Sequence, residues 1–284
     1  MKPVRNILLT LLSCLILAPV AVALYQFNEI KSLPLPVTTG ELAMKGKSVT
    51  LVYNGGHNSC IRAPEAPEVK GNIWPEHYGE FQKTMAFAES ETGERPRLIF
   101  TCIYLSPNDI FMVDTANESV DKYARMSLEE YFAYLDALPE EGVTLYMGHS
   151  YGAWITLQSA LRHQRGQFAL LTMDAISPIH CNYLGGLVQW LTQGSPAGCQ
   201  QAPPDLLEDQ LAHLSAQALY WLNAYQDSFP YIHSSPFAFA DNKRVAGIGS
   251  STSIFAIGDP ENAHNELRVI SSIWEQFRFR LGRL

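Results

Sequence analysis

The spacing of apolar residues along the chain predicts strands that alternate with helices. Residues 49–53, 98–104, 143–147, 168–174 and 253–258 are mostly apolar runs with little polar alternation. Such runs are typical of parallel strands that are covered on both faces. The segments between them carry apolar residues at helical spacing. The chain is therefore predicted to have an α/β fold, in which helices flank a mostly parallel sheet.

Amphipathic segments between and after these runs predict individual helices. Tyr78, Phe81 and Met85 repeat at helical spacing, which indicates a helix packed on the sheet. Ser127 and Glu130 form a capping-box pattern, which predicts that another helix starts at this point. A closing helix is predicted by apolar residues that share one face, at Leu267, Ile270, Trp274, Phe277 and Leu281.

Other segments show a weaker pattern. Residues 24–47 contain two closely spaced prolines and are predicted to be an extended lead-in. Residues 179–215 contain no clear strand and are interpreted as a lid-like insertion after the strand at residues 168–174, which is counted as the sixth strand. Residues 218–225 fit either a helix or a strand, and we favour a strand. The main domain is thus predicted to span residues 48–284.

The strand at residues 143–147 runs into the turn Gly148-His149-Ser150-Tyr151-Gly152. A nucleophilic serine must project from a sharp turn between a strand and a helix. Glycines two residues before and after the serine remove Cβ atoms that would clash in such a turn. The start of the following helix offers N–H groups and a partial positive charge that favour an oxyanion. The pattern therefore indicates Ser150 as a candidate nucleophile.

This turn resembles the nucleophile elbow of α/β-hydrolases, especially the lipases, esterases and thioesterases. The resemblance implies an α/β-hydrolase fold and a Ser-His-Asp triad with Ser150 as the nucleophile. His264, in the loop between the last strand and the last helix, takes the place of the general base. Asp174 ends a predicted strand and takes the place of the acid, although Ala175 stands where some lipase-like relatives have proline. The order Ser, Asp, His along the chain is that of the family.

The same resemblance implies an oxyanion hole. In lipases and esterases, a His-Gly-Gly or similar turn after an early strand supplies one backbone donor. Here Asn54 stands where the family often has histidine, and Gly55 and Gly56 match the glycines. The expected donors are the N–H groups of Gly56 and Tyr151. The simpler alternative is a plain tight turn after the first strand.

Each catalytic assignment has a rival in the sequence. Asp241 is the alternative acid, because the family more often places its acid after the seventh strand. Asp259 lies near His264, although an aspartate before proline usually forms a turn. His57 and His149 lie near the predicted site but in other positions of the motif. Ser150 itself could be a turn serine in a fold that has lost its activity.

Composition narrows the range of partners. The chain has 284 residues and a formal net charge of −8, and no basic patch stands out, which argues against nucleic acid as a partner. The resemblance implies a small-molecule acyl ester or thioester as the substrate, an acyl-serine intermediate, and no metal or organic cofactor. Two alternatives stay open. One is acyl transfer on the same triad, and the other is a non-catalytic binding protein of the same fold.

The N-terminal residues carry an export pattern. Lys2 and Arg5 precede a mostly apolar run, and Ala21-Val22-Ala23 offers a cleavage site. This pattern predicts a secretory signal peptide at residues 1–23 and export to the periplasm or the medium. The alternative is an uncleaved membrane anchor at residues 7–24, since that run is near the lower length limit for a membrane helix.

The cysteines fit an exported protein. Cys60, Cys102, Cys181 and Cys199 follow the N-terminal Cys14, and oxidising compartments favour disulfides. Pairing of Cys60 with Cys102 and of Cys181 with Cys199 is one interpretation, and free buried thiols are the alternative. No Cys/His spacing resembles a zinc site.

Overall fold

The computed structural model describes residues 44, 46–56, 78–103, 109–116, 124–138, 142–162, 166–176, 206–226, 236–237, 239–245 and 270–283. These residues contain eight strands and five helices. The strands are β1 Val49–Asn54, β2 Arg97–Ile103, β3 Ile110–Asp114, β4 Ala124–Met126, β5 Val143–His149, β6 Gln167–Met173, β7 Tyr220–Tyr225 and β8 Asp241–Arg244. The helices are α1 Tyr78–Thr92, α2 Leu128–Asp136, α3 Tyr151–Arg162, α4 Glu208–Gln217 and α5 Ser271–Leu281.

The strands form one sheet in the order β4-β3-β2-β1-β5-β6-β7-β8. Neighbours from β2 through β1, β5, β6 and β7 to β8 are parallel, whereas β3 pairs antiparallel with both β2 and β4. The predicted α/β class is therefore confirmed, as a mixed sheet flanked by helices. The antiparallel pair β3 and β4 and the edge strand β8 were not predicted, because these strands are short and lack long apolar runs.

Helices cover both faces of this sheet. On one face, α2, α3 and α4 pack on strand residues such as Val52 and Tyr146. On the other face, α1 and α5 pack on residues such as Leu51 and Tyr53. Successive residues of a strand point to opposite faces, so each central strand contributes to both cores. This double burial explains why the central strands are apolar without alternation.

The predicted helices are borne out where the structure describes them. The side chain of Ser127 accepts a hydrogen bond from the backbone N–H of Glu130 at 3.3 Å, and the Glu130 carboxylate accepts one from the Ser127 N–H at 2.7 Å. This reciprocal pair is the predicted capping box at the start of α2. In α5, Trp274, Phe277 and Leu281 are buried as predicted. Residues 220–225 form β7, so the strand interpretation of residues 218–225 is confirmed.

The structure describes residues in two of the segments that showed a weaker pattern. The predicted insertion at residues 179–215 includes α4, whose Leu211 and Leu214 are buried in the core with α3. Its last part therefore belongs to the helical layer of the fold. Met44, near the end of the predicted lead-in, is likewise buried in the core. The predicted signal peptide, the strand at residues 253–258 and residues 177–205 lie outside the described residues. In the described part of the chain, no helix is long and apolar enough to cross a membrane.

Candidate functional site

Ser150 occupies a strained turn between β5 and α3. Its φ angle is 60°, a conformation that costs a non-glycine residue free energy. Its N–H donates to the carbonyl of Met173 at 2.9 Å, and its own carbonyl accepts from the N–H groups of Ala153 at 3.0 Å and Ile176 at 3.2 Å. These bonds hold the turn in place. The serine is partly exposed, whereas its two neighbours in the sequence are buried.

Glycines on both sides of Ser150 allow this turn to form. A Cβ atom on Gly148 would lie 2.5 Å from the carbonyl oxygen of Gly152, and one on Gly152 would lie 2.5 Å from the carbonyl carbon of Asn54. Both distances are far shorter than van der Waals contact, and the obstructing atoms belong to the backbone. Any larger residue at either position would therefore displace β1 or α3, which explains the Gly-x-Ser-x-Gly pattern.

The glycine turn after β1 lies directly against Ser150. The N–H of Gly55 donates to the carbonyl of Thr101 at 3.0 Å, which extends the pairing with β2. The N–H of Gly56, a buried residue, forms no hydrogen bond to any residue that the structure describes. A Cβ atom on Gly56 would lie 2.8 Å from Cβ and 3.3 Å from Oγ of Ser150. The backbone of Gly56 therefore lies beside the serine side chain.

This contact lies where the strand order reverses. From β1 the chain adds β2, β3 and β4 on one side, and it then returns to place β5 on the other side of β1. In open α/β sheets, ligands bind in the crevice beyond the carboxyl ends of the strands at such a reversal. Gly56 follows β1 and Ser150 follows β5. The two residues therefore line the position at which an α/β sheet most often holds a ligand.

Asp174 lies at the same edge of the sheet, directly after β6. Its φ angle is 48°, and Ser150 and Asp174 are the non-glycine residues with positive φ among those described. Its N–H donates to the carbonyl of Ala224 at 2.8 Å, and its carboxylate accepts from Nε2 of Gln226 at 3.0 Å. Asp174 and Gln226 are both fully buried. The residue before Asp174 is the one that accepts the Ser150 N–H, so the two predicted triad members lie on adjacent strand ends.

Asp241, the alternative acid, lies elsewhere. It is the first residue of β8 and pairs in register with Leu222 of β7. Through β6, Leu222 lies level with Met147 of β5, which is three residues before Ser150. Three strand spacings of about 4.8 Å, roughly 14 Å in all, separate β8 from β5. The Asp241 carboxylate accepts a hydrogen bond from the Tyr220 hydroxyl at 2.6 Å. Burial and this carboxylate raise the pKa of Tyr220 well above its ordinary value. Asp241 thus begins a strand and does not follow one.

A buried network of neutral polar groups lies beneath the serine turn. Oδ1 of Asn54 accepts from the Tyr131 hydroxyl at 2.6 Å and the Thr101 hydroxyl at 3.0 Å. Nδ2 of Asn54 donates to Oγ1 of Thr156 at 2.9 Å, and that hydroxyl donates to the carbonyl of Met147 at 3.0 Å. Burial raises the pKa of Tyr131 well above its ordinary value, so its hydroxyl stays protonated and can donate. The sequence predictions did not include this network, although buried threonines on apolar elements were its available signal.

The general base is not placed by the described residues. His264 and its rival His57 lie outside them, as does Asp259. Two histidines are described: His149 is buried at the end of β5, and His213 is exposed on α4. The assignment of His264 as the base stays a prediction.

The described residues also bear on disulfides and metals. Cys102 is disulfide-bonded, and the other four cysteines lie outside the described residues, so its pairing with Cys60 stays a prediction. Within the described ranges, no group of three or more His, Cys, Asp or Glu side chains could hold a metal ion.

Comparison with protein-family models, curated proteins and solved structures found no match to this chain. Function must therefore be inferred from the site itself. Its main features are a strained serine at the strand-order reversal, a glycine backbone packed against that serine, and a buried carboxylate on the next strand end.

Proposed function

We propose that this protein is a serine hydrolase of the α/β-hydrolase fold that cleaves carboxylic esters or thioesters through an acyl-serine intermediate. One observation carries the proposal: Ser150 is held at positive φ at the strand-order reversal, with the backbone of Gly56 against its side chain. A turn serine without a catalytic role has no need of this strain, since glycine would adopt the same φ at lower cost.

The topology supports the family assignment. α/β-hydrolases carry the nucleophile on a strand-to-helix turn at the top of a mostly parallel sheet. Their oxyanion donors are the N–H after the nucleophile and an N–H from a loop after an earlier strand. Here the serine follows β5, a strand with parallel neighbours on both sides, and Gly56 follows the adjacent strand β1. Tyr151, the residue after the serine, is the first residue of α3.

The proposed reaction has two stages. Oγ of Ser150 attacks the acyl carbonyl while His264 takes the hydroxyl proton, and Asp174 orients and stabilises the resulting imidazolium. The N–H groups of Gly56 and Tyr151 stabilise the oxyanion of the tetrahedral intermediate. His264 then returns the proton to the leaving alcohol or thiol. Water, activated by the same histidine, attacks the acyl-serine and releases the acid.

The remaining sequence predictions complete the proposal. The insertion predicted at residues 179–215 would supply a lid-like segment over the substrate in its part before α4. A signal peptide at residues 1–23 would export the enzyme to an oxidising compartment, which agrees with a disulfide at Cys102. Apolar residues in the insertion, such as Leu187, Trp190 and Leu191, suggest a neutral or apolar acyl group.

Hydrolysis of p-nitrophenyl esters of increasing acyl length tests the proposal. Ser150→Ala and His264→Ala should each lower kcat by about 10⁴-fold to 10⁶-fold, as triad deletions do. The matched controls are Ser159→Ala, which changes a buried serine of α3, and His213→Ala, which changes an exposed histidine of α4. Both controls should keep wild-type rates. Wild-type rates in folded Ser150→Ala would overturn the proposal.

A further inference from the structure

We propose that Asn54 is a positioning residue that fixes the separation of the two oxyanion donors by tying the glycine turn after β1 to the helix after Ser150. This inference rests on the proposed function. The two donors, Gly56 and Tyr151, belong to segments that are far apart in the sequence. Some contact must therefore fix the distance between them.

Asn54 touches α3 through both its backbone and its side chain. Its carbonyl group packs against Gly152, where a Cβ atom would lie 2.5 Å from the carbonyl carbon. One turn further along the helix, Nδ2 donates to Oγ1 of Thr156 at 2.9 Å. Gly56 is two residues after Asn54, and Tyr151 is one residue before Gly152. The contact between Asn54 and Gly152 therefore lies close to both donors, and the bond to Thr156 lies one helical turn further along α3.

The rest of the network holds the Asn54 amide in one orientation. Its Oδ1 receives hydrogen bonds from Tyr131 of α2 and Thr101 of β2. Thr156 donates onward to the carbonyl of Met147 in β5. Asn54, Thr101 and Thr156 are fully buried, as is Tyr131. A buried polar group without a partner is costly, so these bonds favour one arrangement of β1 relative to α3 over any shifted one.

Such positioning acts on the transition state. Oxyanion donors must lie about 2.7–3.1 Å from the oxygen that develops charge. A misplacement of about 1 Å can cost roughly 10²-fold in rate. Ground-state binding of the acyl group does not depend on the same distance. Loosening the tie should therefore lower kcat and leave KM nearly unchanged.

The experiment compares Thr156 variants in the full protein with a p-nitrophenyl ester as substrate. Thr156→Val keeps the shape but removes the hydroxyl, and kcat should fall about tenfold to a hundredfold with little change in KM. Binding of a trifluoromethyl ketone, which forms an oxyanion on the serine, should weaken in proportion. Thr156→Ser restores the hydroxyl and should recover most of kcat. The control Ser159→Ala removes a buried hydroxyl that bonds within α3, to the carbonyl of Ile155, and should leave kcat unchanged.

The outcomes separate this inference from the proposed function. If wild type shows Ser150-dependent hydrolysis and Thr156→Val behaves like Ser159→Ala, the inference is wrong and the function stands. If wild type shows no Ser150-dependent hydrolysis, both are overturned. If Thr156→Val does not fold, Tyr131→Phe decides by the same criterion. It should lower kcat about twofold to tenfold without changing KM, and an unchanged kcat would overturn the inference.

Discussion

The two ends of the parallel strands hold their polar groups in different ways. At the carboxyl ends, Ser150 and Asp174 adopt positive φ, and the groups beneath them are neutral and hydrogen-bonded. At the amino end of β2, Arg97 and Asp114 form an ion pair at 2.5 Å on backbone with no positive φ. The Tyr134 hydroxyl also donates to the Asp114 carboxylate.

This difference suggests that residues important for function and residues important for stability lie at opposite ends of the same sheet. A strained residue persists only where the surrounding structure holds it in place, and such residues cluster at functional sites. The strained pair therefore marks the carboxyl end as the candidate site. The Arg97–Asp114 pair has ordinary backbone geometry and joins two antiparallel strands. We therefore expect substitutions at the carboxyl ends to affect catalysis, and substitutions at the amino end to affect stability alone.

The largest contrast is expected between the two candidate acids. Asp174→Asn should lower kcat by about 10⁴-fold, because an amide cannot hold the histidine in the correct tautomer or stabilise the imidazolium. Asp241→Asn should stay near the wild-type rate, because its carboxylate contacts Tyr220 away from the serine. Steady-state ester hydrolysis by both folded variants measures the contrast. The reverse order of effects would move the acid to β8 and contradict the comparison.

The next effect concerns the glycine beside the serine. Gly56→Ala would place a methyl group 2.8 Å from Cβ of Ser150, which displaces the donor, and kcat should fall by about 10²-fold to 10³-fold. Gly79→Ala in α1 is the matched control, since nothing lies within 4 Å of its added Cβ. That variant should keep kcat and gain up to about 1 kcal/mol in the free energy of unfolding. Equal rates in the two variants would remove Gly56 from the site.

The smallest effect on catalysis is expected at the amino end of β2. Burial alone would raise the pKa of Asp114, but hydrogen bonds from Arg97, Tyr134 and the backbone of Ala116 lower it below its ordinary value. Asp114→Asn should lower the free energy of unfolding at pH 7 by about 1.5–3 kcal/mol, the value of a hydrogen bond to a charged group. The kcat of the folded variant should not change.

The pH dependence of this stability has a defined sign. Because folding lowers the pKa of Asp114, the ionised carboxylate contributes stability above the unfolded value of about 3.9. The contribution is lost as the pH falls through the folded pKa. Denaturant unfolding should therefore show that wild type and Asp114→Asn converge below about pH 4. A constant difference down to lower pH would assign the loss to packing.

The parallel core could be predicted because strands that are buried on both faces consist mostly of apolar residues. The serine turn could be predicted because local crowding requires glycine at two positions of the motif. The edge strand β8 could not be predicted, because Asp241–Arg244 is entirely polar. Only its pairing with β7 identifies this segment as a strand. For the same reason, the sequence could not show that Asp241 begins a strand. The Asn54 network joins residues 77 and 102 positions apart, which no local pattern reveals.

If the protein is a serine hydrolase, Ser150 must be an activated nucleophile. A fluorophosphonate probe reacts covalently with activated serines, and mass spectrometry of the digested protein locates the adduct. We expect one adduct, on Ser150. It should be absent in Ser150→Ala and should form much more slowly in Asp174→Asn, whereas Asp241→Asn should label like wild type. A folded wild-type protein that takes no label, or takes it at another serine, would contradict the account.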